Sequence, residues 1–369
     1  GREGVEGQES CPAQCTDSWS AGEWLKHCHD GTCGHTFVNH NATCLYKLFS
    51  PRETASCLSS SWVLLLGSSG NVNLGLSWMQ MLDPEGCKEP FDGPRWYNYS
   101  CIKHGKSNCT KTLHKVKSFV NFNKMALDMV MGADGKVVYK RGFDLASSHV
   151  YHQKSKDVTH LQLHLAPPIP SGGWRLTVLP VMWASQAVAM VDYAKTILPP
   201  DVPAPALVVY VQLGAWYLNS FDLKAKAWGL NSSDVLAVGK LKNVPSLLRY
   251  YRREVARMID QLRVRVGVLV VGTMPATGRT CGKRDAIGCR AAINVETVSA
   301  VVEAGAQPDV LVEGRPRPAP AVLLDWAFVS KSQEGGGHSS HRAGIMGLHR
   351  LLSSLCDPAS VSVQEPKAE

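Results

Sequence analysis

The chain has 369 residues, of which 44% are hydrophobic and 19% charged. That is enough apolar mass for a full core and too much length for one minimal domain. No run of about 18 uninterrupted apolar residues occurs, so no membrane span is expected within these residues. Gly1 opens into a polar segment without an apolar signal core, the pattern of a mature or trimmed chain in which any membrane contact would come from a segment not present here.

Residues 1–57 are rich in cysteine, with Trp19, Trp24 and several histidines, and lack a periodic pattern long enough for a core of their own; they read as an irregular, stapled collar. Of the chain's 12 cysteines, nine (Cys11, Cys15, Cys28, Cys33, Cys44, Cys57, Cys87, Cys101 and Cys109) come early, and Cys281, Cys289 and Cys356 come late. If all are paired, the odd early count requires at least one bridge from the early region to the late one. Cys281 and Cys289 can close a local loop and leave Cys356 to reach back. Sequons at Asn41, Asn98, Asn108 and Asn231 fit the same oxidising secretory route, and with it a secreted or Golgi-lumenal, cell-wall or matrix location. The run His27-Cys28-His29-Asp30-Gly31-Thr32-Cys33-Gly34-His35 has zinc-ligand residue types, but its spacing matches no standard finger, so disulfides and no metal are expected.

From Trp62 the pattern changes. Residues 62–66 are wholly apolar and end at Gly67, as in a parallel strand covered on both faces, and similar runs recur at 175–181, 206–212, 266–272 and 321–325. Helical patterns alternate with them over 73–82, 184–198, 245–262, 293–304 and 342–355. This alternation predicts an α/β fold: a three-layer, flavodoxin-like sandwich with a five-stranded, mainly parallel sheet and ligands beyond the carboxyl ends of its strands. The core domain is expected over 58–358, with a tail at 359–369. Residues from about 83 to 172 break the rhythm; Asp134-Gly135 between apolar runs marks a hairpin, and the segment reads as a β-rich insertion near the active face. The Pro-rich pieces at 198–205 and 315–320 read as loops feeding strands.

The net charge of +8 points to anionic partners, and Arg249, Arg252, Arg253, Arg257, Arg263 and Arg265 crowd one segment. Leu248, Tyr251, Val255, Met258, Ile259 and Leu262 recur there at three- and four-residue steps, so the arginines read as the wet face of an amphipathic helix, not as a nucleic-acid site. Acidic polysaccharide remains an open partner.

Three stretches carry chemistry. Phe49 to Leu58, the strand at 62–66, and Gly67-Ser68-Ser69-Gly70-Asn71-Val72-Asn73 form the first. A hydroxyl at a strand-to-helix turn projects from the sheet edge, where the helix N-terminus offers N–H groups to a developing oxyanion. The second is 207–217, ending Leu213-Gly214-Ala215-Trp216-Tyr217; the third is Asp325-Trp326, then Glu334-Gly335-Gly336-Gly337-His338 before the last helix.

In this order the three stretches resemble the SGNH-hydrolase superfamily, in its PC-esterase branch with the trichome-birefringence-like and neurexophilin-and-PC-esterase proteins. The resemblance spans most of residues 49–356 in element order and is specific at few positions. It implies that Ser69 is the nucleophile and His338 its general base, that Gly67 and Gly214 line the oxyanion site with Asn73 or Asn219 as side-chain donor, and that Trp216 walls the cleft. Ser68, Val72 and Gly335 stand where the family keeps Asp, Arg and Asp, so Glu334, Asp325 or His341 is left to serve as orienting group or alternative base. The implied activity is serine-dependent O-acyl transfer or ester hydrolysis on polysaccharide or glycoprotein glycans, acidic ones included, with an unassigned acyl donor and no cofactor. The missing acidic groups equally fit a catalytically lapsed relative that binds a glycan or a protein partner.

Overall fold

The structure, a computed structural model, describes residues 13–14, 22–29, 32–39, 44–45, 49–82, 125–144, 166–197, 205–221, 233–274, 289–306, 321–324 and 341–356. The four sequons lie outside these residues. The collar, read as irregular, contains paired strands: β1 (Ala13–Gln14) runs parallel to β4 (Cys44–Leu45), and β2 (Gly22–His29) pairs antiparallel with β3 (Thr32–Asn39), Cys28 opposite Cys33. Strand signal is weak there because polar and cysteine residues outnumber the β-branched and aromatic ones.

Helix α1 (Pro51–Cys57) starts on a capping box: Ser50 Oγ accepts from the Glu53 amide at 3.2 Å, and the Glu53 carboxylate accepts from the Ser50 amide at 2.8 Å. It leads into β5 (Ser61–Gly67), all seven residues of which are buried. Then come α2 (Ser69–Leu82), β6 (Met125–Met131), β7 (Val137–Asp144), β8 (Trp174–Pro180), α3 (Ala184–Thr196), β9 (Ala206–Gln212), α4 (Ala215–Phe221), α5 (Ser233–Gly239), α6 (Val244–Arg263), β10 (Val268–Gly272), α7 (Cys289–Ala306), β11 (Ala321–Leu324) and α8 (His341–Cys356).

The fold is α/β. Seven strands form one sheet in the order β11-β10-β9-β5-β8-β6-β7. Contacts from β8 through β5, β9 and β10 to β11 are parallel; β6 is antiparallel to β8 and to β7. The five strands expected from the sequence are thus extended by two from the insertion. Alternation along β5 separates two cores. Trp62, Leu64 and Leu66 face α3, α4, α6 and α7; Val63 and Leu65 face α1, α2 and α8.

Two features pin the insertion's hairpin. At its turn Gly135 has φ +78°, and a Cβ there would meet the backbone of Pro51 and Arg52 at 2.9 Å, so only glycine lets the turn rest on the start of α1. Along β6, buried Asp128 accepts from Arg175 Nε (2.9 Å) and Nη2 (2.7 Å) and from the Thr177 hydroxyl (2.7 Å), while Trp62 Nε1 donates to Thr177 Oγ1 at 2.8 Å. The guanidinium also stacks 4.2 Å from the Trp62 ring centre. A slip of one residue would leave the buried carboxylate unpaired, so this cluster specifies how β6 joins β8.

Helix α6 buries Leu247, Tyr251, Val255, Met258, Ile259 and Leu262. Leu247 takes the place expected for Leu248, one position along. Its arginines are not uniformly a wet face. Arg252 pairs with Glu303 and Glu296 of α7, Arg263 donates to the Ala304 carbonyl at 2.6 Å, and Arg265, just past the helix, donates to Asp192 of α3 at 3.0 Å.

Cys57 and Cys356 form a disulfide with Cα atoms 5.6 Å apart, the early-to-late bridge that the odd cysteine count requires. Beside it, the Phe49 amide donates to Nδ1 of buried His349 at 3.0 Å.

Candidate functional site

The carboxyl ends of the five parallel strands are in one row. Gly67 is paired with Pro180 on one side and Gln212 on the other; Gln212 is paired with Gly272, and Gly272 with Leu324. Each turn leaving this row therefore opens on the same edge. Ser69 heads α2 two residues past Gly67, Gly214 precedes α4 two residues past Gln212, and Asp325 follows Leu324 directly.

Gly67 and Gly214 are required by packing. A Cβ on Gly67 would lie 2.6 Å from Asn71 Cγ and 2.6 Å from the Gln212 carbonyl. Gly214 has φ +116°, and a Cβ there would meet Ile293 Cγ2 at 2.6 Å and Met274 Sδ at 2.9 Å. The first turn of α2 also sits close over β9, since a Cβ on Gly70 would stand 3.1 Å from Gln212 Oε1. Gln212 is thus the hinge post between the Ser69 turn and the Gly214 turn.

Three buried carboxamides, none of them singled out from the sequence for this role, hold the edge. Asn71 Nδ2 donates to the Leu66 carbonyl at 2.5 Å, clasping the first turn of α2 to the end of β5. Gln212 Nε2 donates to the Thr273 carbonyl at 2.7 Å. Asn294 of α7 accepts from the Met274 amide at 2.8 Å and donates back to its carbonyl at 3.0 Å. The only sequence signal was a polar residue closing an apolar run, as Gln212 does in Ala-Leu-Val-Val-Tyr-Val-Gln.

The amides at the start of α3 are already taken: that of Ala184 donates to the Tyr217 hydroxyl of α4 at 3.2 Å and that of Met182 to Gln186 Oε1 at 2.9 Å. In the first turn of α2, the Asn71 and Val72 amides return to the Ser68 carbonyl at 2.8 and 3.3 Å. An N-terminus of this kind carries partial positive charge and favours an anion formed beside it. The start of α2 and the Gly214 turn on the neighbouring strand thus set backbone N–H groups from two turns along one edge.

Of the base and orienting candidates, His338, Glu334 and Asp325 lie outside the described residues, and His341 is the first residue of α8. The far end of α8 is bound to Cys57, at the amino end of β5, and its Leu348, Leu351 and Leu352 pack with Trp78, Met79 and Leu82 of α2. At about 1.5 Å per residue, the 16-residue helix opens roughly 22 Å from that anchor. It therefore enters from the carboxyl side, the side on which Ser69 heads α2. Trp216, expected at a cleft wall, is 2% exposed and packs in the core below the edge. Asn73 and Asn219 lie within α2 and α4.

Compared with known proteins, the chain matches no family model, no curated protein and no solved structure. Among the described residues, no helix is long and apolar enough to cross a membrane.

Proposed function

We propose that this chain is a glycan O-acyltransferase or O-acetyl esterase of the secretory pathway, working through an acyl-enzyme on Ser69 with His338 as base. The observation that carries the proposal is the common edge: the Ser69 turn and the Gly214 turn leave adjacent strands from paired positions, on either side of Gln212. The strand order supports the finer fold assignment as well. Numbered along the chain, the five parallel strands run 2-1-3-4-5 across the sheet, the flavodoxin-like order on which an SGNH-type sandwich is built, with ligands at the carboxyl ends.

Ser69 Oγ attacks the acyl carbonyl while His338 takes its proton. The oxyanion of the tetrahedral intermediate is held by the Ser69 and Gly214 amides. Collapse expels the donor's alcohol oxygen, which takes the proton from His338. The acyl-Ser69 ester is then attacked by water, giving hydrolysis, or by a sugar hydroxyl, giving transfer, and His338 again relays the proton. Sequons and cysteines support a route through the secretory lumen, where glycans are the abundant hydroxyl acceptors.

A second reading, a lapsed binder, is favoured by Gly335, Ser68 and Val72, which leave the imidazole without the family's carboxylate and the turn without its charged pair. Treatment with a fluorophosphonate separates the two. The acyl-enzyme reading requires labelling of the wild type that disappears in Ser69→Ala and in His338→Ala. Absence of wild-type labelling, with an active serine hydrolase labelled in parallel, overturns it in favour of the binder.

A further inference from the structure

Helix α6 divides its arginines between two tasks. Arg252 and Arg263, with Arg265 just beyond, are turned to neighbouring helices. The other three, Arg249, Arg253 and Arg257, follow one another at four-residue steps on the pole opposite the buried stripe, and all are exposed. The Arg253 and Arg257 side chains are 64% and 61% exposed. Exposed Lys240 and Lys242 lie in the chain just ahead of the helix. Against these five cations stand Glu254, 3.6 Å from Arg253 Nε and 3.5 Å from Arg257 Nη1, and exposed Asp260. The ridge is thus cationic after its own carboxylates are counted.

We infer that this ridge is the docking surface for a linear acidic polysaccharide. Successive arginines are about 6 Å apart along the axis, too far for one sulfate or carboxylate to satisfy all three, so the ligand must repeat its charge. Guanidinium forks match sulfate and carboxylate oxygens in pairs. Tyr250 carries Arg253 5.4 Å above its ring centre and packs on Tyr217, which holds that fork in place before a ligand arrives. From Arg249 to Arg257 the exposed pole offers no large aliphatic side chain to enter a bilayer. Its two tyrosines are taken up in packing, Tyr251 in the core and Tyr250 under Arg253 and against Tyr217, so the convex helix presents no free ring for nucleic-acid bases to stack on.

The ridge also has a direction. After α6 the chain bends back so that the Gly267 amide meets the Leu207 carbonyl at 2.9 Å, at the amino end of β9. The helix start, with Lys242 and Arg249, is therefore the end nearer the carboxyl edge. A chain lying on the ridge thus has one end at the carboxyl edge of the sheet, the edge from which α2 also starts. The choice of a sugar polymer rests on the glycan reading above; capture by the ridge does not depend on a reactive Ser69.

The test uses the full chain with immobilised heparin and immobilised polygalacturonate over a series of salt concentrations. Expected are binding whose log affinity falls linearly with log salt, and a loss of at least tenfold with a shallower salt slope in R249Q/R253Q/R257Q. The charge-keeping R249K/R253K/R257K retains the slope and binds more weakly than wild type. A control that removes three exposed cations elsewhere, R52Q/K136Q/K195Q, keeps most of the affinity. Equal weakening by the control triple, an unchanged ridge triple, or tighter ridge-dependent binding to duplex DNA or to anionic vesicles overturns the inference. Fluorophosphonate labelling of the ridge triple, and polysaccharide binding by Ser69→Ala, are read separately, so failure of the ridge and failure of the acyl-enzyme are distinguishable.

Discussion

Cys57, at the end of α1, is bonded to Cys356, at the end of α8, across 299 residues of chain. The bridge closes nearly the whole domain and fixes α8 against α2, whose first residue is Ser69. Cross-linking so long a loop removes much of the unfolded chain's freedom. The C57A/C356A variant is therefore expected to lose about 2–5 kcal/mol of unfolding free energy, read from denaturant midpoints. A non-reducing peptide map of the wild type should recover the Cys57 and Cys356 peptides as one species.

Gly214 combines a φ of +116° with a Cβ position already occupied by Ile293 and Met274. Gly214→Ala is expected to cost about 2 kcal/mol or more, from backbone strain together with overpacking, and to slow fluorophosphonate labelling of Ser69 by displacing the neighbouring amide. Gly239→Ala is the matched control, because nothing lies within 4 Å of its Cβ position; its midpoint and labelling rate should stay at the wild-type values.

The parallel strands were legible because burial on both faces forces continuous apolar runs, and Gly or Pro ends several of them. All five appear within two residues of their expected starts, and the helices between them at their expected places. The turns bearing Ser69 and Gly214 followed from the strand ends. What holds those turns was not legible. Asn71, Gln212 and Asn294 are single polar residues near turns, indistinguishable in sequence from solvated ones until the carbonyls they meet are known. The hairpin at Asp134-Gly135 was visible from local turn chemistry, but its place in the sheet depends on Asp128 meeting Arg175 and Thr177, residues 47 and 49 positions away. The collar's strands have too weak an alternation to read.

The Asp128 cluster predicts an asymmetry between mutants. Asp128→Ala leaves the Arg175 guanidinium, on a residue 7% exposed, without its carboxylate and should cost about 3–5 kcal/mol. The double replacement D128L/R175M removes both charges and should recover a good part of that loss. Urea unfolding of D128L, R175M and the double variant gives the coupling directly. Additive costs would show that the pair does not act as a unit.

His349 makes stability depend on pH. Burial holds its imidazole below the usual histidine range, and the neutral ring accepts the Phe49 amide at Nδ1, 3.0 Å away, so its own proton sits on Nε2. In the unfolded chain the ring takes up a proton near pH 6.5, while in the folded chain it stays neutral to lower pH. Below about pH 6.5 the unfolded state therefore binds more protons. The contribution of this group is complete above that pH and is lost as pH falls through the folded value. The wild-type urea midpoint should drop between pH 7.5 and 5.5. In His349→Asn, whose side-chain oxygen can accept the same amide without titrating, the drop should be smaller by the histidine's share. An equal drop in both proteins would assign the pH dependence to other groups.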